Sequence, residues 1–253
     1  DEMNKIEEKW IVDDRLKYFQ KKTNIDLLTL KERKWIVNSS LIQLAVVKNW
    51  DRYSFLDKNG NLKGFHLDLL RQINKNLNIG INYVAYDTWS QAYDAATKGE
   101  VDGIFGLSWS KQREKIFNYS PTYKYSPYYI ISRKNEQNVK SLSDFKNNIA
   151  VTYKNSITNI IVKRNMPNAK IIHKNTIPGI LLAIKNKEAD VALLENAKSL
   201  NLEKYNTKIV NSIFTKEGEL SIGMIKNNTT LAKIISKGIK SISEEQMLKL
   251  ENK

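Results

Sequence analysis

Val101-Asp102-Gly103-Ile104-Phe105-Gly106-Leu107 runs straight into Ser108-Trp109-Ser110-Lys111-Gln112-Arg113, and the reading of this join decides the fold. The first half is the short, nearly continuous apolar run expected of a strand buried on both faces. The second is a polar loop that carries one cation among aromatics and hydroxyls, and Phe117-Asn118-Tyr119-Ser120-Pro121-Thr122-Tyr123 follows it. A strand ending in such a loop offers an anion-binding site, although an arginine one turn into a helix is more often a solvated surface residue. Outward from the join, a helical stretch from Trp89 to Lys98 precedes Gly99-Glu100-Val101-Asp102. The same order returns as a helix, then Lys187-Glu188-Ala189-Asp190, then Val191-Ala192-Leu193-Leu194. Two units that end their helices alike predict two related lobes with a cleft between them.

The rest of the pattern fits this division. Leu41 to Val47 reads as a strand, Asp57-Lys58-Asn59-Gly60 as a turn, and Gly64 to Leu77 as a helix with Leu67, Leu70, Ile73 and Leu77 on one face. Ile81-Asn82-Tyr83-Val84 is the next strand. The alternation restarts with Ser141 to Phe145, a short capped helix, then strand Ile149 to Thr152, a helix after Ser156, strand Ile171-Ile172, and a helix opened by Thr176 and Pro178. Such alternation predicts mostly parallel α/β sheets. Lobe 1 is expected over residues 40–132 and 223–253, and lobe 2 over 133–222. Crossing strands are expected near Tyr129 to Arg133 and Leu220 to Ile225. Leu231, Ile234, Ile235 and Ile239 place the penultimate helix on lobe 1.

Residues 1–39 read as a helical connector: Met3, Ile6 and Trp10 fall at helical spacing, and Thr29 with Glu32 forms a capping-box pattern before Trp35-Ile36. Glu2-Met3-Asn4-Lys5-Ile6-Glu7-Glu8-Lys9 echoes Gln246-Met247-Leu248-Lys249-Leu250-Glu251-Asn252-Lys253, which suggests a preceding repeat of the same domain in a longer protein. The sequence opens without a charged-then-apolar leader, so an excised fragment is expected.

Composition narrows the function. The formal charge of +14 invites a nucleic-acid reading, but the lysines are diffuse, with no basic tract and no nucleic-acid-binding motif, so no nucleic-acid partner is expected. Cysteine is absent, which excludes disulfides and thiol catalysis; His66 and His173 are isolated, so neither a metal site nor a cofactor is expected.

Residues 108–123 resemble the signature of the family 3 extracellular solute-binding proteins, the polar-amino-acid-binding Venus flytrap fold, and with the other motifs the resemblance covers about residues 41–252. It implies a two-lobed, periplasmic-binding-protein-like (type II) architecture, each lobe a mostly parallel sheet flanked by helices. By this resemblance Arg113 grips a ligand carboxylate, a task suited to a planar guanidinium with parallel donors. Ser108 would hold the ligand through backbone and hydroxyl, while Ser110 matches the cap of the turn carrying Arg113. Trp50 matches an aromatic over the ligand's aliphatic part, but Arg52-Tyr53-Ser54 replaces the usual Pro-Phe-Glu. Trp109 either walls the cleft or buries itself against the sheet, and Trp89 is a lid or a core residue.

In the facing lobe, Thr152-Tyr153-Lys154-Asn155-Ser156-Ile157 matches a turn that aims helix N-terminal amides at the carboxylate. Asn155 replaces the usual glycine, and asparagine tolerates positive φ; Ser156 is a ligand contact or an ordinary N-cap. Glu195 falls where relatives place an aspartate against the ligand's ammonium, one methylene longer, so the ligand is an amino acid or a carboxylate lacking the amine. Asp102 and Asp190 read as residues that start strands.

The function implied is an extracytoplasmic sensor domain, periplasmic, that closes on a small carboxylate-bearing ligand and signals to an attached output module. The resemblance further implies tethering to the membrane through segments outside this chain, in a receptor capable of pairing as a dimer. A freestanding amino-acid-binding component of an ABC transporter is the alternative. Catalysis is not expected, since Glu195 alone stands as a cleft acid or base.

Overall fold

A computed structural model describes residues 27–50, 52–137, 139–145, 148–195 and 197–252. The helix expected around Met3, Ile6 and Trp10 and the N-terminal half of the echo lie outside the described residues.

Thr29 opens helix α1 (Leu30–Asn38) through a full capping box, in which the Glu32 carboxylate accepts the Thr29 N–H at 2.7 Å. The same carboxylate accepts from Lys237 Nζ at 2.6 Å. Strand β1 (Gln43–Val47) follows, then a small antiparallel flap of β2 (Asn49–Trp50), β3 (Ser54–Leu56) and β4 (Leu62–Lys63), then helix α2 (Phe65–Leu77). The expected stripe Leu67, Leu70, Ile73 and Leu77 is buried. Strand β5 (Asn82–Tyr86) leads to helix α3 (Trp89–Lys98), which a Thr88/Gln91 capping box starts and Gly99 ends in the left-handed conformation at φ 74°. The deciding strand is β6 (Gly103–Ser108), buried along its whole length. After a short 3₁₀ turn at Arg113–Lys115 come β7 (Phe117–Tyr119) and β8 (Lys124–Tyr125).

The second unit runs through β9 (Tyr128–Arg133), β10 (Ile149–Thr152), α4 (Ile157–Asn165), β11 (Lys170–His173), α5 (Ile177–Lys185), β12 (Val191–Glu195) and β13 (Thr207–Ile213). Strand β14 (Glu219–Ile225) returns to the first unit, and α6 (Thr229–Lys240) and α7 (Glu244–Glu251) close the described chain.

The sheets are built alike. In the first, of order β5-β1-β6-β14-β7 with β8 also on β14, β1 runs parallel to β5 and β6 while β14 is antiparallel. In the second, of order β11-β10-β12-β9-β13, β10 runs parallel to β11 and β12 while β9 is antiparallel. Asp102 and Asp190 hold equivalent posts: each carboxylate accepts the first N–H of its neighbouring strand, Gln43 at 2.8 Å and Ile149 at 3.0 Å. Neither is a cleft residue, in agreement with their reading as strand starters.

The crossings sit elsewhere than expected. Tyr129 to Arg133 lies inside β9 and Leu220 to Ile225 inside β14, so the chain passes between sheets at residues 126–127 and 214–218. The apolar runs looked like hinges because both strands start immediately after a crossing. Pairing is what anchors them to a sheet: β9 lies between β12 and β13, and β14 between β6 and β7.

Alternation along each strand splits the cores. Leu44 and Val46 pack with α2 and α6 residues on one face, and Ala45 and Val47 with α3 residues on the other. Val191 and Leu193 face Ile161 of α4, while Ala192 and Leu194 face Leu181 and Ile184 of α5. With layers of helix on both faces, each sheet delivers its loops past the carboxyl ends of β1, β6, β10 and β12, where parallel α/β sheets hold ligands.

Candidate ligand-binding cleft

Between the sheets lies a cavity of about 700 Å³. Trp50, Trp89, Ser108 and Arg113 line it from the first unit, and Tyr153, Ser156, Thr158 and Glu195 from the second. Arg113 and Glu195 therefore reach one space from sequence positions 82 residues apart, as the register of two separate sheets dictates.

The capping of the short turn positions Arg113. Its backbone N–H donates to Ser110 Oγ at 3.2 Å, which gives Ser110 the capping role expected of it. Arg113 is 4% exposed, and its guanidinium lies 5.6 Å from the Trp89 ring centroid and 5.2 Å from that of Tyr93. Nη1 donates to the Ser108 carbonyl at 3.0 Å and Nη2 to the Asn155 carbonyl at 2.9 Å. One side chain thus bonds to both lobes. A guanidinium carries five N–H donors, so two carbonyls do not exhaust it.

Asn155 does not line the cavity; it fastens the rim. Its φ of 59° is the left-handed conformation for which glycine would be the usual choice. In that conformation its carbonyl also accepts from Trp89 Nε1 at 3.3 Å, and its Nδ2 donates to Ser90 Oγ at 3.3 Å and Asp94 Oδ1 at 3.2 Å. Four hydrogen bonds from α3 and Arg113 converge on this one residue of the other lobe. These bonds join the two lobes across the cleft. The part played by Trp89, Ser90 and Asp94 was not visible beforehand beyond the open role given to Trp89; their spacing is that of any amphipathic helix start.

Ser156 stands at the N-cap of α4 with extended backbone, but its hydroxyl pairs with Thr158 Oγ1 at 2.6 Å instead of capping the helix. Ser108 is 2% exposed, and its Oγ lies 3.4 Å from the Tyr128 hydroxyl. Trp50 leans on β6 at Gly106, whose φ of 73° and missing side chain make room for the ring. It meets Trp89 edge-on at 5.7 Å between centroids. Trp109, in the loop just past β6, does not line the cavity; its ring faces Lys216 Nζ at 4.7 Å.

Glu195 ends β12 opposite Tyr128 of β9. Its Oε2 is buried without a hydrogen-bond partner, one of only three such side-chain atoms among the described residues. Burial pushes the carboxyl up to about 7, against the opposing pull of the Tyr128 hydroxyl and the Arg113 charge, both of which favour ionisation. Tyr128, itself buried, donates to the Glu217 carbonyl at 2.9 Å. It escaped sequence reasoning because only the antiparallel register of β9 on β12 brings it to Glu195. The cavity so combines a buried cation bonded to backbone carbonyls, a carboxyl group with one oxygen unpartnered and aromatic walls. It can hold a small molecule that presents an acceptor to Arg113 and a donor or cation to Glu195.

The sequence is 18% identical over 221 residues to the virulence sensor protein BvgS of Bordetella pertussis, a match that takes in 86% of this chain and 18% of that protein. The chain therefore spans less than a fifth of the length of BvgS. It is 22% identical over 200 residues to the amino-acid-binding protein AabA of Dichelobacter nodosus, covering 76% of this chain and 78% of AabA. Among solved structures, the periplasmic VFT2 domain of BvgS superposes with a TM-score of 0.75 at 17% identity, covering 88% of this chain and 97% of that one. That likeness establishes the two-lobed Venus flytrap fold. Among the described residues no helix is long and apolar enough to cross a membrane. Residues 42–253 match the bacterial extracellular solute-binding proteins, family 3, and the chain belongs to that family.

Proposed function

We propose that this chain is an extracytoplasmic sensor domain whose lobes close on a small carboxylate-bearing ligand, an amino acid, and pass the closed state to a membrane-anchored receptor. The observation that carries the reading is the pairing of Arg113 and Glu195 on opposite lobes of one cavity. A zwitterionic head group matches them: its carboxylate meets the unused donors of Arg113, and its ammonium meets the unpartnered Glu195 Oε2. Such a ligand has most of its contacts only when both lobes surround it, so it favours the closed arrangement by its differential affinity. Membrane tethering and periplasmic placement follow the resemblance to BvgS; a dimeric receptor belongs to the same proposal. The match to most of AabA supports a second reading, delivery of an amino acid to a transporter. Turnover is not part of the proposal.

Thermal-shift and calorimetric titration with L-amino acids test the binding claim, because a ligand that binds only the folded state must stabilise it. At least one amino acid is expected to raise the melting temperature, and Arg113→Ala to weaken that ligand by about 10- to 100-fold, the worth of one charge-assisted hydrogen bond. An Arg113→Ala protein that binds the same amino acid equally well sinks the assignment.

A further inference from the structure

The head-group pairing uses a small part of the cavity. At ~30 Å³ per water the space of about 700 Å³ holds some twenty water molecules, so whatever lies beyond the charged groups defines the ligand's tail. That remaining wall belongs mainly to the second lobe: Ile177, Pro178 and Leu181 of α5, Leu194 of β12, and Leu200 and Tyr205 beyond it, while its polar members Asn175, Thr176 and Asn201 are exposed at the edge. Leu181 and Leu194 are 1% and 2% exposed and belong to the packed core between α5 and the sheet, yet they line the cavity. The floor of the cavity is thus the hydrophobic core itself.

Charge is absent from that floor. Apart from Arg113 and Glu195, the charged residues lining the cavity among those described are Asp87 and Lys204. The Asp87 side chain is 68% exposed and paired with Lys48 at 2.9 Å. Lys204 is exposed, with its ammonium 5.6 Å from the ring centroid of Tyr205. A cationic or anionic tail would therefore leave water for apolar walls with no buried partner, which is strongly unfavourable. An apolar tail meets surfaces that gain from losing their contact with water.

We infer that the cavity takes an α-amino acid with a large apolar or aromatic side chain, seated against Leu181, Leu194, Leu200 and Tyr205. The inference rests on the proposed binding of an amino acid and adds the class of its side chain. Leucine exceeds alanine by three carbons, and each buried methylene is worth about fourfold in affinity, so leucine is expected to bind about sixtyfold more tightly than alanine.

Isothermal titration calorimetry at pH 8 on the whole chain decides it, with L-leucine, L-phenylalanine, L-alanine, L-arginine, L-glutamate and 2-phenylethylamine as probes. Leucine or phenylalanine is expected to bind most tightly, ahead of arginine and glutamate, and Leu200→Glu to reverse the order of phenylalanine and arginine. Leu200 is half-buried on the wall, and circular dichroism confirms that the variant folds. Arginine or glutamate binding more tightly than leucine and phenylalanine overturns the apolar tail while leaving the amino-acid reading intact. Binding of 2-phenylethylamine without any amino acid removes the zwitterionic head while retaining the apolar tail. No binding by any of the six overturns both.

Discussion

Glu195→Gln should make the protein more stable, and by an amount that depends on pH. The carboxyl is held at about 7 against an ordinary value of 4.5, so between these values the folded chain keeps a proton that the unfolded chain has released. Stability therefore falls as pH rises from about 4.5 to about 7, and stays down above it. At ~1.4 kcal/mol per pH unit, the ionised side chain costs the fold about 3 kcal/mol at pH 8. Glutamine keeps the shape and never ionises, so the variant escapes this cost. With roughly 2–4 °C of melting temperature per kcal/mol for a chain of this size, Glu195→Gln should melt about 10 °C above the parent at pH 8 and level with it at pH 4. Differential scanning calorimetry on both proteins from pH 4 to pH 8, with no ligand present, reads the difference. A gap in melting temperature that is the same at both ends of the range refutes the assignment of a carboxyl whose ionisation is opposed by desolvation. If the gap opens as expected, the residue is kept at a cost to stability, as binding groups often are.

Substitutions at two further positions probe the rim and the Trp50 wall. Asn155→Gly keeps the positive φ and the carbonyl bonds but removes the amide bonds to Ser90 and Asp94, so small-angle scattering should show a more open, larger particle; Asn155→Ala should open it likewise and lose about a further 1 kcal/mol to left-handed backbone strain, measured by urea denaturation. Unchanged dimensions in both variants would show that these bonds do not hold the lobes. Gly106→Ala places a methyl 2.4 Å from the Trp50 ring at a φ of 73°, so it should cost roughly 1–3 kcal/mol and change tryptophan fluorescence; a neutral result would contradict the packing of Trp50 on β6.

The fold was legible because each sheet repeats one local grammar. Gly99-Glu100-Val101-Asp102 and Lys187-Glu188-Ala189-Asp190 end equivalent helices, and in both the aspartate locks the neighbouring strand. Arg113 and Asn155 were legible for different reasons, the first through a motif and the second because an asparagine in a glycine position announces a positive φ. What stayed hidden depends on three dimensions. Leu181 and Leu194 have the spacing of core residues whether they face a neighbour or a cavity, so periodicity cannot mark them as ligand wall. Trp109 sits beside Ser108 in sequence, yet it lies past the end of β6 and turns its ring to Lys216 instead of the cavity. Tyr128 meets Glu195 only through an antiparallel register, and the crossings were displaced because the apolar runs read as crossing segments are paired strands that begin directly after the short linkers at 126–127 and 214–218.

Both described ends of the chain are fastened to the same lobe. Helix α1 is tied to α6 through Glu32 and Lys237, and α7 is tied to β8 through Glu251 and Lys124 at 2.7 Å. The second lobe, by contrast, is a guest inserted through two adjacent crossings, and its first and last paired residues, Tyr128 and Ile213, are ladder partners. Swinging the guest leaves the distance between α1 and α7 unchanged. Under the proposed sensor function, a receiver wired only to those helices would be deaf to ligand, and the message would leave through a surface that the second lobe itself touches.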